Sequence, residues 1–415
     1  EEKEVNDELT LQSPISTLPH EDNQKEEEKK EVKIFDELRL RIQFLLSIFF
    51  IDLYPSAPLW RRCTTLTMFT FSILINLYYA LFFFYKTIIN LSSISIYSLN
   101  ALIQVIFAFM SGSAVIFIFF TQRSNALADF TEKISKASSL INSPHRILYL
   151  RRLSRIFTIL VLLNIIYGIL FSIAYAGGVR PKSVTNPKYA VRTTELFGDE
   201  SLYTIYLIAI VYLFVGWNIS IMCFVLCTMA SKCVIEELHE EIERIDGGTL
   251  DSLTSSISRV INKHSLIADA VRSFNDNVKQ YAFIQLAMSV PCTLCTLFMA
   301  ISQKGEPVQD ILMVTPSLAI ALYGFLSISY FPAELHETAS KTRAIFCGNL
   351  RVWLPYREKA YSLALLFLSY IDHAELGVSA WGFATLSRPA ILTTLSVMVT
   401  LLALLFQIRG CAPVR

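Results

Sequence analysis

Seven separate stretches of mostly apolar residues, each free of Asp, Glu, Lys, Arg and His, constrain this chain more than anything else in it. They cover residues 64–85, 96–120, 156–176, 203–230, 281–301, 311–331 and 389–408. A helix of roughly 20 such residues crosses the roughly 30 Å hydrocarbon core of a bilayer. Only helices and closed barrels satisfy their own backbone hydrogen bonds there. The sequence therefore predicts an all-α membrane protein with seven transmembrane helices. Composition agrees: 53% of the 415 residues are hydrophobic and 17% charged, against about 25% charged in soluble domains.

The segments between the runs have their own character. Residues 1–33 are rich in Glu, Asp, Lys, Ser, Asn and Gln, too polar to offset the entropy of ordering, and read as a disordered tail. They hold no apolar core with a small-residue cleavage site, so the first span is expected to serve as its own insertion signal. Residues 34–63 contain LRIQFLLSIFFIDLYP, too short to span and followed by Pro55 and Pro58; this reads as an interfacial or re-entrant helix. Residues 64–331 carry six spans, 332–388 an anchor segment in which AYSLALLFLSYI, residues 360–371, reads as a short helix packed below the membrane, 389–408 the last span and 409–415 a short terminus.

Orientation follows from Lys and Arg, which favour cytoplasmic loops. Arg39, Arg41, Arg61 and Arg62 precede the first span, and Arg146, Arg151, Arg152 and Arg155 precede the third. The connection from the fourth span to the fifth and the one before the last span are also basic, whereas the loop after the first span offers only Lys86, the fifth-to-sixth only Lys304 and the third-to-fourth Arg180, Lys182, Lys188 and Arg192. The N-terminus is thus expected in the cytoplasm and the C-terminus outside. The sequon Asn90-Leu91-Ser92 then falls outside, as glycosylation requires. In the fourth-to-fifth connection Ile235, Leu238, Ile242 and Ile245 recur at helical spacing among acids, so the spans are expected to continue as helices into the cytoplasm.

Several function classes are excluded. A net charge of +1 with no single basic patch gives no case for nucleic acid. The pairs Cys223/Cys227 and Cys292/Cys295 lack the further ligands of a zinc site and read as core cysteines. Spans without ionisable groups disfavour a proton-coupled carrier. No phosphate loop, HExxH or nucleophile elbow marks an enzyme, and no cofactor is expected.

On the last span Thr393, Ser396, Thr400, Leu404 and Gln407 are spaced by three, four, four and three, which places them on one helix face. Two readings stand. The stripe lines a water-filled path with Leu404 as a hydrophobic constriction, or its hydroxyls simply bond their own backbone or a neighbouring helix. In the outer halves of the first four spans lie Tyr79, Asn100, Gln104, Tyr167, Tyr203 and Tyr206. Together they offer aromatic walls with a few polar groups, as small-molecule sites do, and an uncharged set suits a neutral, hydroxyl-bearing or aromatic ligand. Tyr also anchors helices at membrane interfaces.

The stretch GVSAWGFATLSRPAILTTLSVMVTLLALLFQI, residues 377–408, resembles the signature end of the arthropod gustatory receptors, in the superfamily of the insect odorant receptors. Ala380, Gly382, Phe383, Thr385, Leu386 and Arg388 match, and Thr400 and Gln407 keep their spacing. Ser387 stands where that family usually has Asp, and Leu401 and Ile408 replace its usual Tyr and Phe. FLLSIFFIDLYP and HSLIADAVRSFNDNVKQYAFIQLA extend the likeness over most of the chain. The resemblance implies a ligand-gated nonselective cation channel in the plasma membrane, opened by a small-molecule tastant. It would be a homotetramer or pair with related receptor subunits. The last helix would line a central pore gated near Leu404, Gln407 and Ile408, and the inner helices would form an anchor where subunits meet. A heptahelical receptor acting through G proteins, with its N-terminus outside, and a non-conducting co-receptor subunit of the same fold are the alternatives.

Overall fold

The structure is a computed structural model, and it describes residues 35, 37–49, 51, 57–89, 96–138, 144–176, 200–302, 308–374 and 376–411. The acidic tail and the sequon at Asn90 lie outside the described residues. Eleven helices follow one another among the described residues. They are α1 (37–48), α2 (Leu59–Ile89), α3 (Ile96–Arg123), α4 (Ala126–Ala137), α5 (Pro144–Ala176) and α6 (Glu200–Glu243). Then come α7 (Leu250–Ser302), α8 (Val308–Gly348), α9 (Leu350–Trp353), α10 (Glu358–His373) and α11 (Arg388–Cys411). Seven of them, α2, α3, α5, α6, α7, α8 and α11, are long and apolar enough to cross a membrane, and they contain the seven runs read from the sequence. The chain is a multi-pass membrane protein.

The helix α6 is the hub, packed by α2, α3, α4, α5, α7 and α8. Its extension beyond the apolar run exists because Ile235, Leu238 and Ile242 line up on one face and, with Ile245 just past its end, are almost wholly buried. In a water-facing region each such side chain contributes about 1.5–3 kcal/mol. The turn Asp246-Gly247-Gly248 ends the extension. The next helix begins where Thr249 Oγ1 accepts from the Ser252 amide at 3.3 Å, an N-cap. Arg357 donates to the Gly247 and Gly248 carbonyls, and Asn349 to those of Ile242 and Ile245, so the α9–α10 region is pinned under this turn. On α10 the inward residues are Ala360, Ala364 and Phe367, while Leu366 points outward and Leu363 is half-buried.

All ion pairs among the described residues belong to segments at this same end of the bundle. Arg146 pairs with Glu240, Lys232 with Glu334 at 2.9 Å, Arg343 with Asp372 at 2.6 Å, and Arg388 with Glu334 at 2.6 Å. Part of the Arg-rich end recognised in the sequence is therefore neutralised, where acids of the helical extensions meet the bases.

One element departs from the all-helical expectation. Residues 377–388, the end of the segment expected as an anchor, contain a short antiparallel hairpin in which Ser379 pairs with Thr385 and Ala380 with Ala384. Its loop needs left-handed backbone at Trp381 (φ 52°) and Gly382 (φ 79°). Glycine adopts this freely, whereas a tryptophan there is strained. The strain is held by the Trp381 amide donating to the Lys279 carbonyl at 3.0 Å and by Trp381 meeting Phe283 edge-on at 5.3 Å. Asn275 Oδ1 also accepts from the Ser379 amide and hydroxyl. Helical periodicity carries no sign of a hairpin this short; the Gly382 step is its one local mark.

Candidate functional site

The last helix, α11, stands almost free of the rest of the bundle. In its most apolar window 6% of the residues are buried, against 83% in α6. Its contact side is narrow: Leu402, Leu405 and Phe406 pack on Leu99, Cys295 and Phe298, and Met398 is buried. Thr393, Ser396, Thr400, Leu404 and Gln407 all face away from the bundle and are exposed. Thr393 donates to the Pro389 carbonyl at 3.0 Å, Ser396 to Leu392 at 2.9 Å and Thr400 to Ser396 at 2.9 Å. Such bonds satisfy the hydroxyls within the helix and leave each oxygen a second lone pair pointing outward. Ile408 lies on the same helix with its side chain outside the described ones.

At the base of α11, Arg388 reaches α8. It donates to Glu334 at 2.6 Å and pairs with Glu337, while Glu334 also takes Lys232 of α6. Both cations hold the Glu334 carboxyl below its ordinary value, against a burial effect that acts the other way. The first residue of the last helix is thereby tied to the two long helices of the bundle.

At the opposite end, Tyr79 of α2 donates to Gln104 Oε1 of α3 at 3.3 Å, which brings together two of the six residues singled out in the sequence. They share a cleft with Asn76, Phe107, Ser111, Ile210 and Leu213, and its space is too narrow for a water molecule. Asn76 anchors the cleft by donating to the Ala108 carbonyl at 2.7 Å. Tyr167 lies elsewhere, on α5 beside Ser317 of α8. Asn100, Tyr203 and Tyr206 lie on α3 and α6, with side chains outside the described ones.

Between Tyr79 and Tyr167 runs an aromatic band that sequence reading did not single out. Phe107, Phe214, Trp217 and Tyr323 meet ring to ring at 5.8–6.1 Å, and Phe157 reaches Tyr323 at 6.4 Å. Two small residues let the helices close around it: a Cβ on Gly324 would stand 2.8 Å from Trp217, and one on Gly168 3.0 Å from Phe214. Trp217 Nε1 donates to Gln285 Oε1 at 3.0 Å, and Gln285 Nε2 donates to the Met110 carbonyl at 2.8 Å. The buried hydroxyls of Tyr212 and Tyr323 have no hydrogen-bond partner among the described residues. Unpaired buried hydroxyls are uncommon, and that of Tyr323 belongs to a ring of the aromatic band. Tyr212 and Tyr323 sit mid-span, where only their polar atoms in apolar surroundings distinguished them.

Among the described residues no His, Cys, Asp and Glu cluster could hold a metal, and the described cysteines, including Cys223, Cys227, Cys292 and Cys295, are free thiols.

No protein-family model and no curated protein matches the chain. Among solved structures it is similar to the insect olfactory receptor OR5 from Machilis hrabei, with a TM-score of 0.69 at 13% identity, over 90% of this chain and 99% of that one. It is similar also to OR5 in complex with eugenol, with a TM-score of 0.70 at 12% identity and the same coverage. The fold is thus that of an insect olfactory receptor.

Proposed function

We propose that the protein is a chemoreceptor of the gustatory type, a ligand-gated nonselective cation channel of the plasma membrane opened by a small-molecule tastant. The carrying observation is the last helix. An apolar helix with a hydroxyl-bearing stripe, turned away from its own bundle, is suited to surround a water-filled path together with copies of itself. Four copies would place Thr393, Ser396, Thr400, Leu404, Gln407 and Ile408 toward the axis. The basic end of the bundle is cytoplasmic in this reading, by the positive-inside rule. The ligand enters from outside, toward Tyr79 and Gln104 or the adjoining aromatic band. The fold shared with a receptor solved in complex with eugenol supports a small-molecule ligand over an enzymatic role.

Expressed alone, the chain is expected to give ligand-evoked current in whole-cell recordings with a panel of sugars, bitter compounds and eugenol. Surface expression without current from any of them would assign it to a non-conducting subunit. The gate is tested by a neighbouring pair. Leu404 is exposed and Leu405 packs on the bundle, so Leu404→Ser should wet the constriction and give ligand-independent current, while Leu405→Ser should not. Equal behaviour of the two would sink the pore-facing assignment.

With an activating compound in hand, Gln104→Ala removes the partner of Tyr79, and Tyr167→Ala a wall on the other side. Each is expected to raise the half-maximal concentration about 5- to 30-fold, the cost of one or two polar or ring contacts. Wild-type dose–response curves in both would move the site elsewhere.

A further inference from the structure

We infer that α1, together with the inner ends of α2 and α5, forms a docking surface for an anionic phospholipid of the inner leaflet. The helix has two apolar faces. Leu38, Ile42, Leu45 and Leu46 are buried against the bundle, while Leu40, Phe44 and Ile48, spaced by four, form a stripe on the opposite side with exposures of 57, 64 and 49%. An apolar stripe of this kind, on a helix too short to span, lies against acyl chains at a membrane boundary. Trp60, exposed at the start of α2, extends it and is of the type enriched at that boundary.

The charged groups beside the stripe are arginines apart from Glu37. Arg41 on α1, Arg61 and Arg62 on α2, and Arg151, Arg152 and Arg155 on α5 stand just inside the apolar runs. Arg61 and Arg151 are tied to α1: Arg61 donates to Ser47 at 2.8 Å, and Glu37 takes Arg151 at 3.1 Å as well as Arg41 at 2.7 Å. Asp36, Glu37 and Asp52 are the acids of residues 34–62, and 144–155 contain none. Among the described residues Arg62 and Arg152 meet no carboxylate, and Arg155 turns only to the Arg151 carbonyl, at 3.4 Å. This differs from the rest of the same end, where Arg146, Lys232, Lys263 and Arg388 are each matched by Glu. Guanidinium groups fit phosphodiester oxygens two at a time, and basic clusters next to a span attract anionic headgroups. Unmatched arginines beside an exposed apolar stripe present both halves of a phospholipid-binding surface.

The test uses the purified full chain, titrated in detergent with phosphatidylserine and separately with phosphatidylcholine, with retained lipid counted by native mass spectrometry. Wild type should retain phosphatidylserine preferentially, and the preference should fade as salt rises. In the triple variant Arg62→Gln, Arg152→Gln, Arg155→Gln retention should drop by about fivefold per arginine, on the order of a hundredfold in all at low salt. An unchanged preference in the triple variant overturns the inference, as does a wild-type preference that survives high salt; the salt titration decides even if the variant fails to fold. Displacement by soluble glycerophosphoserine at the same concentration as the lipid would show an anion site without the apolar stripe, against the proposal. Phe44→Ser should weaken retention at unchanged oligomeric mass. If it lowers that mass and leaves lipid retention as in wild type, the stripe belongs to another copy of the chain and the inference fails.

Discussion

Replacing Lys263 by Met is expected to destabilise the protein by about 3–5 kcal/mol, the cost of leaving a buried charge without its partner. Lys263 of α7 lies between two acids of the α6 extension, pairing with Glu237 and, at 2.9 Å, with Glu241. Glu241 also has Arg259 at 2.8 Å, but Glu237 and Lys263 are both buried and face one another away from water. Removing the ammonium leaves the Glu237 carboxylate in a low-dielectric setting. Thermal unfolding in detergent should therefore show a large drop for Lys263→Met. The double variant Glu237→Leu, Lys263→Met should recover most of it, because an apolar pair of similar volume avoids the desolvation cost altogether. A single variant that melts with wild type, or a double variant as unstable as the single, would refute this account of the α6–α7 pairing.

The second large effect is a loss of stability in mild acid. His264 of α7 is fully buried, edge-on to Phe367 at 5.4 Å and to Tyr370 at 5.3 Å of α10, and neither ring nitrogen has a partner among the described residues. His239 of α6 shares a 2.8 Å hydrogen bond with Thr342 of α8, near the cations Arg146 and Lys341. Burial lowers both imidazoles from 6.5 to about 4, helped at His239 by those cations and by His264. The folded protein thus binds fewer protons than the unfolded chain. Stability is fully present above pH 6.5, falls as pH drops from 6.5 towards 4, and levels off below that. For His264 this is worth about 3 kcal/mol. Asp129 and Glu334, whose values are lowered, act at the bottom of the window and beyond it, so the upper part reports the histidines. Melting curves from pH 7 to 4 should slope downward, and His264→Leu should flatten them. A wild-type melting temperature flat across that range would count against neutral, buried histidines.

How far the sequence was legible differs from element to element. The stripe Ile235, Leu238, Ile242 and Ile245 read as a helical extension and is the buried face of one, because outside the bilayer one face meets water and the pattern has contrast. The α10 segment was legible for the same reason. Within the spans contrast weakens: Leu404 and Leu405 are one residue type in one apolar run, the spacing from Thr400 marks only a face, and packing beside Cys295 and Phe298 shows which face meets the bundle. Of the six outer polar and aromatic residues, Tyr79 and Gln104 meet, while Tyr167 lies apart. Trp217, Gln285 and Tyr323 could not be picked out, since their significance lies in partners on other helices.

The sequence by itself determined that seven helices cross a membrane, where each crosses, and at which end the charge gathers. Those properties are local: hydrocarbon demands a certain apolar length, and each helix closes its own backbone bonds. Tertiary structure alone decided which spans are interior. The apolar windows of α6 and α11 are equally hydropathic, yet one is 83% buried within the chain and the other 6%. Lipid tails are as apolar as Leu, so hydrophobicity does not tell a helix whether its neighbour is protein or lipid. Close packing does, through Gly324 against Trp217 and Gly216 against Val115 around α6, whereas α11 is held by the ion pairs of Arg388 at its base and the narrow contact of Leu402, Leu405 and Phe406.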